Sequence, residues 1–214
     1  MVRHMLITII TIIFNEICMR KPVFVAGLAV IVVGVALVLY GIQYAGSLDA
    51  LIQAGEWDVT WYSIQGEYGT WGEVIGSSRF PANFYYSPIS YEDWFDHFGF
   101  RAKLTINLLE DSTVIFKAGS DDGIILSVDG SVVISSWVTR GYAVDEYRMP
   151  LKAGTHELEL WWYEWEGDQA ASFEMHVEEW ELATGIQTAG GGITFIGAVI
   201  TVVGLVLKPG ATSR

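Results

Sequence analysis

The chain is short of cysteine, of basic residues and of catalytic motifs, and each shortage excludes a class of protein. It has one cysteine in 214 residues, Cys18, so no disulfide within the chain can stabilise the fold. Lys and Arg number 12 against 25 Asp and Glu, which gives a formal net charge of -13. Nucleic acid and anionic lipid surfaces are therefore disfavoured as partners, because both would repel such an acidic protein.

Signals of catalysis and of glycosylation are also missing. The four histidines show no metal-ligand spacing, and the sequence has neither a Gly-rich phosphate loop nor an Asn-x-Ser/Thr sequon. His156 and His176 fall at predicted strand positions, where a structural role is the more frequent one. No pattern sets two carboxylates at the working distance of a glycosidase. We therefore expect a protein that is not an enzyme.

Two long apolar runs lie near the ends of the chain. Residues 23–42 are twenty residues without a charge, and residues 189–207 are nineteen more. At about 1.5 Å per residue, each run is long enough as a helix to cross the roughly 30 Å core of a bilayer. The sequence therefore predicts transmembrane helices over 23–43 and 187–207, with the lipid bilayer as one partner.

Basic residues beside the two runs predict the orientation. Arg20 and Lys21 precede the first run, and Lys208 and Arg214 follow the second, which places both termini in the cytoplasm as segments 1–22 and 208–214. The protein is then a two-pass cell-membrane protein, and its central domain is extracytoplasmic. For residues 1–18 we weigh two explanations: translation starts at Met19, or the segment is a short interfacial amphipathic stretch.

Glycines recur every seven residues in both apolar runs. This spacing places each set on one helix face, where small residues let membrane helices approach closely. We expect the two helices to form an antiparallel pair, glycine face to glycine face, although glycine is also common in membrane helices without such a role. The residues concerned are Gly27, Gly34, Gly41, Gly190, Gly197 and Gly204.

Between the two runs the pattern changes to short alternating segments separated by Gly, Pro, Asp and Asn. Alternation of this kind predicts β-strands, and Asp129-Gly130 between two apolar segments predicts a tight hairpin turn. Residues 80–98 read as a long aromatic loop. We expect residues 55–181 to form an all-β domain, an antiparallel sandwich or barrel with its first and last strands adjacent. The predicted strands are 57–62, 103–109, 113–118, 124–128, 132–137, 156–163 and 171–178.

One stretch of this domain resembles a known family. Residues 116–134, FKAGSDDGIILSVDGSVVI, combine a strand, a Ser-Asp-Asp-Gly turn, a strand and an Asp-Gly hairpin. This order is similar to the central signature of the protective-antigen (PA-14) domain, and residues 150–158 and 57–62 are similar to its later turn and its opening strand. The resemblance implies a β-sandwich that often serves as a carbohydrate-binding module in adhesins, glycosidases and toxins.

The resemblance also implies a candidate cofactor, Ca²⁺. In adhesin members of the family the Asp pair, here Asp121 and Asp122, holds Ca²⁺ through a cis peptide, and the ion coordinates sugar hydroxyls. Those adhesins add an Asn from a later loop, whereas residues 164–170 here offer carboxylates, of which Asp168 is our candidate ligand. The alternative is structural: the two carboxylates cap a tight turn by accepting backbone N–H groups.

Two functions from different classes follow. The first is a membrane-anchored, outward-facing carbohydrate-binding module, lectin-like and Ca²⁺-dependent, in which Trp165, Tyr142 and Glu166 contact a cell-surface glycan. The second is a non-catalytic structural or interaction subunit of a larger membrane complex, with an envelope protein as its partner. A concave surface with exposed rings beside Asp121 would favour the first, and a flat apolar surface would favour the second.

Overall fold

The computed structural model describes residues 20–66 and 69–206. These form two compact units: a helical unit, comprising the chain up to Ala45 and from Glu181 onward, and a β unit, Gly46–Trp180. The predictions made for residues 1–19, including the start at Met19, and for the tail 208–214 lie outside the described residues.

Two helices make up the helical unit. Helix α1 is Lys21–Asp49 and helix α2 is Glu179–Val206, and both are long and apolar enough to cross a membrane. Apolar side chains cover their outer surfaces, with Val32 67% exposed and Phe195 71% exposed. An apolar surface of this kind suits a hydrocarbon environment, which agrees with the two apolar segments predicted from the sequence.

The glycines lie where the two helices meet. Gly27, Gly34 and Gly41 face α2, and Gly190, Gly197 and Gly204 face α1. A β-carbon at Gly34 would lie 2.5 Å from the backbone nitrogen of Thr194, and one at Gly197 would lie 2.6 Å from that of Ile31. Because the obstacles are backbone atoms, any larger residue would force the helices apart.

The β unit contains eleven strands. They are β1 Ile52–Ala54, β2 Glu56–Gln65, β3 Thr70–Pro81, β4 Phe84–Tyr86, β5 Phe98–Leu108, β6 Ser112–Asp121, β7 Gly123–Val128, β8 Ser131–Ser136, β9 Ala143–Leu151, β10 Gly154–Glu164 and β11 Ala170–Val177.

The strands form two sheets, and every pairing is antiparallel. The larger sheet has the order β3-β2-β5-β10-β7-β8 with β1 also paired to β5, and the smaller has the order β4-β11-β6-β9. Their inner faces meet in an aromatic core, where the rings of Trp57 on β2 and Phe173 on β11 are 5.0 Å apart. The predicted antiparallel all-β domain between two apolar helices is thereby confirmed.

The predicted turn, strands and strand neighbours can be compared with the structure one by one. Asp129 and Gly130 have φ values of 50° and 77°, so the predicted tight hairpin is confirmed. Strands β3 and β9 were not predicted, and β4 lies in the stretch expected to be a loop. The first and last strands are not hydrogen-bonded neighbours, because β1 and β2 belong to one sheet and β11 to the other.

Candidate metal centre and adjoining cavity

Asp121 and Asp122 lie where the chain crosses from one sheet to the other. Asp121 ends β6 in the smaller sheet, and Gly123 begins β7 in the larger sheet. The peptide bond between the two aspartates is cis, as the family resemblance implies. Both side chains are largely buried, with exposures of 9% and 2%. Two carboxylates are thus held side by side at a fixed point of the scaffold.

The Asp122 carboxylate joins two loops. One oxygen accepts the backbone N–H of Arg140 at 2.9 Å, after β8, and the other accepts that of Trp165 at 2.8 Å, after β10. The N–H of Asp122 itself donates to the carbonyl of Tyr163 at 3.2 Å. Asp122 therefore has the capping role considered above, but it caps two distant loops and leaves its remaining lone pairs free for a ligand.

Glu164 is a third carboxylate, and it is the most deeply buried of the three. It ends β10 on the same side of the strand as the core residues Leu160 and Trp162. Its exposure is 0%, and neither of its carboxylate oxygens has a hydrogen-bond partner. Asp121, Asp122 and Glu164 each offer an oxygen, and these oxygens all lie within 4.8 Å of one another. A buried carboxylate without a partner is costly unless a cation compensates it.

The environment raises the pKa of all three carboxyl groups. Burial, followed by the charges of Asp122, Asp121, Asp96 and Asp168, raises the pKa of Glu164 from 4.5 to about 9. Burial raises the pKa of Asp121, with Asp122 adding to the effect, and burial also raises that of Asp122. The group therefore favours protons or a metal ion, and three hard oxygen donors suit Ca²⁺.

The Arg140 guanidinium donates hydrogen bonds to residues outside the cluster. Arg140 Nη2 donates to Asp145 at 2.6 Å, to Ser120 Oγ at 3.0 Å and to the carbonyl of Ala143 at 3.3 Å. Arg140 lowers the pKa of Asp121 only as a minor contribution against burial and Asp122. The Arg140 side chain therefore stabilises the loop after β8 and forms no hydrogen bond with Glu164.

A core tryptophan holds the backbone of the site. The Trp162 Nε1–H donates to the carbonyls of Asp121 and Ala170, both at 3.1 Å. The indole is fully buried and stacks on Phe100, with ring centroids 5.4 Å apart. The segment that carries the aspartates and the loop before β11 are therefore fixed to the centre of the domain.

A surface cavity of about 610 Å³ opens beside Asp121. Tyr85 and Tyr142 line it, with exposures of 63% and 41% and ring centroids 5.8 Å apart. The Tyr142 hydroxyl lies 2.9 Å from Ser172 Oγ, and the ring lies over Gly119, where a β-carbon would meet both groups. The cavity thus combines exposed rings with a carboxylate, as sugar-binding surfaces do.

The structure brings together some of the predicted site residues and separates others. Asp121, Tyr142 and Asp168 line this cavity, and Asp168 is exposed there. Trp165 is half-buried with its ring 4.2 Å from that of His97, and the Glu166 carboxylate lies 3.5 Å from His97 Nε2. Glu164 and Tyr85 belong to the site, but sequence reasoning did not select them. For Glu164 a signal existed, namely a carboxylate at a core-facing position of a strand.

Asp129 and His156 form a separate polar pair at the β7–β8 hairpin. Asp129 accepts the Glu157 N–H at 2.9 Å and lies 2.7 Å from His156 Nδ1, while His156 Nε2 lies 2.8 Å from the carbonyl of Lys152. Burial alone would lower the pKa of His156, but these hydrogen bonds outweigh it and raise the pKa. The contacts are those of a structural histidine.

Comparison with known proteins gives matches among solved structures alone. No protein-family profile and no curated protein sequence matches the chain. An anti-sigma factor domain-containing protein is 17% identical with a TM-score of 0.49 over 56% of this chain, which spans only 42% of that protein's length. A PA14 sugar-binding domain from an RTX adhesin is 20% identical with a TM-score of 0.43, over 57% and 90% of the two chains. The PA14 domain of the MpAFP antifreeze protein is 13% identical with a TM-score of 0.44, over 59% and 84%. The chain is thus similar, at low identity, to PA14 domains and to anti-sigma factor domain proteins.

Proposed function

We propose that the chain is a membrane-anchored, non-catalytic carbohydrate-binding module that uses a calcium ion held by Asp121, Asp122 and Glu164. The observation that carries the proposal is Glu164, which is fully buried, has no hydrogen-bond partner and lies with the other two carboxylates inside a 4.8 Å group. A group of this kind fits a cation with hard oxygen ligands.

Each residue of the site would have a different role in sugar recognition. Calcium held by these residues would supply coordination positions for vicinal sugar hydroxyls. Tyr85 and Tyr142 offer ring faces for the apolar side of a sugar, and Asp168 offers an acceptor for a further hydroxyl. Asp122 orients the two loops that border the site, because it binds one backbone N–H of each.

Anchoring rests on the two helices. Both are long and apolar enough to span a bilayer, and the basic residues beside them favour cytoplasmic termini, which would place the β unit on the outer side. An acidic outer domain, with seven basic and twenty-four acidic residues between Ser47 and Gly185, suits calcium and neutral glycans better than anionic polymers.

Calcium titration tests the metal centre directly. The full-length protein in phospholipid nanodiscs is titrated with Ca²⁺ by calorimetry, beside Asp121→Asn/Asp122→Asn and Glu164→Gln. Glu73→Gln, an exposed acid on the edge strand β3, is the matched control. We expect saturable binding in the wild type and the control, and a loss of at least about 100-fold in both site variants. Equal calcium binding in all four proteins would disprove the metal centre.

A glycan array with calcium or with excess EGTA then tests recognition. Binding that requires both calcium and the aspartates supports the lectin-like function. The absence of glycan binding, together with site variants that only lower stability, would support the structural or interaction subunit instead.

Topology is tested separately by cysteine labelling in intact cells. Ser131→Cys, at the exposed β7–β8 hairpin, is placed in a Cys18→Ser background and treated with a membrane-impermeant maleimide. Labelling before lysis supports an outer β unit. Labelling that requires lysis places the β unit in the cytoplasm and overturns the proposed orientation.

A further inference from the structure

A second concavity lies on the outward face of the larger sheet. It has a volume of about 480 Å³, and strands β2, β5 and β10 form its floor. Two rungs of the sheet provide most of its lining: Thr60, Arg101 and Trp161 are paired across the three strands, as are Asp58, Lys103 and Glu159. We call this surface the sheet groove. Among the described residues, it shares no lining residue with the cavity beside Asp121.

Aromatic rings surround one side chain of the sheet groove. The Arg101 guanidinium carbon lies 4.5 Å from the ring centroid of Trp161, 4.6 Å from that of Trp71 and 5.5 Å from that of Tyr62. All three rings are partly exposed. Arg101 Nε is buried without a hydrogen-bond partner. Because the guanidinium already occupies the space between the rings, the groove has no room there for a cationic ligand.

The charges of the sheet groove balance one another. Lys103 Nζ lies 2.7 Å from Glu159 and 3.3 Å from Glu157, and Asp58 lies 3.3 Å from Arg79. The lining holds two acids and two bases, so it attracts neither a free anion nor a free cation. It nevertheless presents donors and acceptors side by side next to an indole. A neutral molecule with many hydroxyls matches this surface, since each hydroxyl both donates and accepts.

From this chemistry we propose that the sheet groove is a second carbohydrate-binding site, which takes a neutral oligosaccharide without a metal ion. Trp161 stacks on a sugar ring, and Thr60, Asp58 and Glu159 bind its hydroxyls. The volume lies within the range of small-ligand pockets. This site goes beyond the calcium-dependent function, because it rests on different residues and needs no cation.

The test measures binding with calcium removed. Full-length protein in phospholipid nanodiscs, free of alkyl-glycoside detergent whose head groups would compete, is titrated in excess EGTA with hexasaccharides of glucose, mannose and N-acetylglucosamine. We expect at least one hexasaccharide to bind and quench tryptophan fluorescence. Trp161→Ala should weaken that binding by about tenfold or more, Trp161→Phe should keep most of it, and Thr60→Val, which is close in shape, should weaken it severalfold.

Two controls separate this site from the calcium site. Asp121→Asn/Asp122→Asn should bind the hexasaccharide in EGTA as the wild type does, and so should Tyr147→Ala, an exposed aromatic on the other sheet. If none of the hexasaccharides binds in EGTA, or if Trp161→Ala and Thr60→Val bind it like the wild type, the proposal is wrong. Loss of calcium binding alone leaves it standing.

Discussion

The proposed metal centre and the sheet groove handle charge in opposite ways. At the metal centre three carboxylates converge in a buried position, and burial raises the pKa of each. In the sheet groove every acid lies beside a base, with Lys103 between Glu157 and Glu159 and Arg79 beside Asp58. The three carboxylates of the first site need a proton or a cation to compensate their charge. The charged side chains of the sheet groove already compensate one another.

Under the two proposals, one acidic domain offers two modes of recognition. Converging carboxylates repel one another, so the protein keeps them together only through scaffold contacts such as the two N–H groups that Asp122 accepts. Balanced pairs on an open sheet need no such bracing. We therefore expect substitutions at the metal centre to alter both stability and binding, and substitutions in the sheet groove to alter binding alone.

Asp122→Ala should give the largest effect and the sharpest separation of the two sites. It removes a proposed calcium ligand and leaves the N–H groups of Arg140 and Trp165 without an acceptor, so the domain should lose about 2 kcal/mol or more of stability. Calcium affinity should fall at least about 100-fold. Thermal melts and calorimetry measure both quantities, while hexasaccharide binding in EGTA below the melting temperature should persist. A variant with unchanged stability would contradict the capping role.

Glu164→Gln should stabilise the calcium-free protein, whereas most substitutions destabilise a protein. Burial, together with the neighbouring carboxylates, raises the pKa of Glu164 from 4.5 to about 9, so the folded state holds its proton more tightly than the unfolded state does. Its favourable contribution is complete below pH 4.5 and is lost as the pH rises from there through about 9. In EGTA at mildly alkaline pH, the variant should therefore melt several degrees above the wild type.

Calcium should invert that order of stability. In the proposed site the ion would stabilise the wild-type carboxylate and would have no such partner in Glu164→Gln, so added calcium should raise the melting temperature of the wild type alone. Near-UV circular dichroism of the aromatic domain follows both transitions. A wild-type melting temperature that does not change between acidic and alkaline pH in EGTA would refute the burial effect.

Gly119→Ala should separate cation binding from sugar binding within the first site. A β-carbon at this position meets Ser172 Oγ and the Tyr142 hydroxyl, so the Tyr142 ring must shift from its present position in the cavity wall. We expect calcium affinity to stay unchanged and calcium-dependent glycan binding to weaken by about threefold to tenfold, the range of one lost ring contact. Gly55→Ala, at an exposed position outside the cavity with open space around it, serves as the control.

Ionic strength should give the smallest effect. Raising the salt concentration screens the attraction of calcium to the acidic cluster and should lower its affinity severalfold. Hexasaccharide binding to the sheet groove should change by less than about twofold, because the ligand is neutral and the lining charges cancel. A steep salt dependence of hexasaccharide binding would show that the groove recognises charge rather than hydroxyl groups.

The central strands were predictable from the sequence, and among the edge strands β8 was predicted whereas β3, β4 and β9 were not. The central strands β5 and β10 alternate apolar and polar residues because one face is buried, and this alternation identified them. Strands β3 and β9 lie at sheet edges, where few side chains are buried; Gly72 and Gly76 interrupt β3, and Pro150 lies in β9. Edge strands tolerate such residues, so they carry little periodic signal.

The candidate site was partly predictable for a similar reason. The Ser-Asp-Asp-Gly turn is local in sequence, and it indicated Asp121 and Asp122 directly. Both Glu164 and Tyr85 reach the site through sheet pairing across long stretches of chain. Glu164 does so because β10 pairs with β7, and Tyr85 does so because β11 pairs with both β4 and β6. A single sequence does not give that pairing. For Glu164 the available clue was its position on the same face of β10 as the core residues Leu160 and Trp162.

The two hydrogen bonds of Trp162 have an evolutionary consequence. A single indole N–H donates to the carbonyls of Asp121 and Ala170. Substitutions of this core residue during evolution therefore also affect the backbone of the site. Trp162→Phe would fill much of the same space and still leave two carbonyls without their donor. Selection for ligand recognition alone would therefore conserve Trp162, a buried residue that no ligand touches. Random screens for lost binding should recover substitutions of Trp162 alongside substitutions of surface residues.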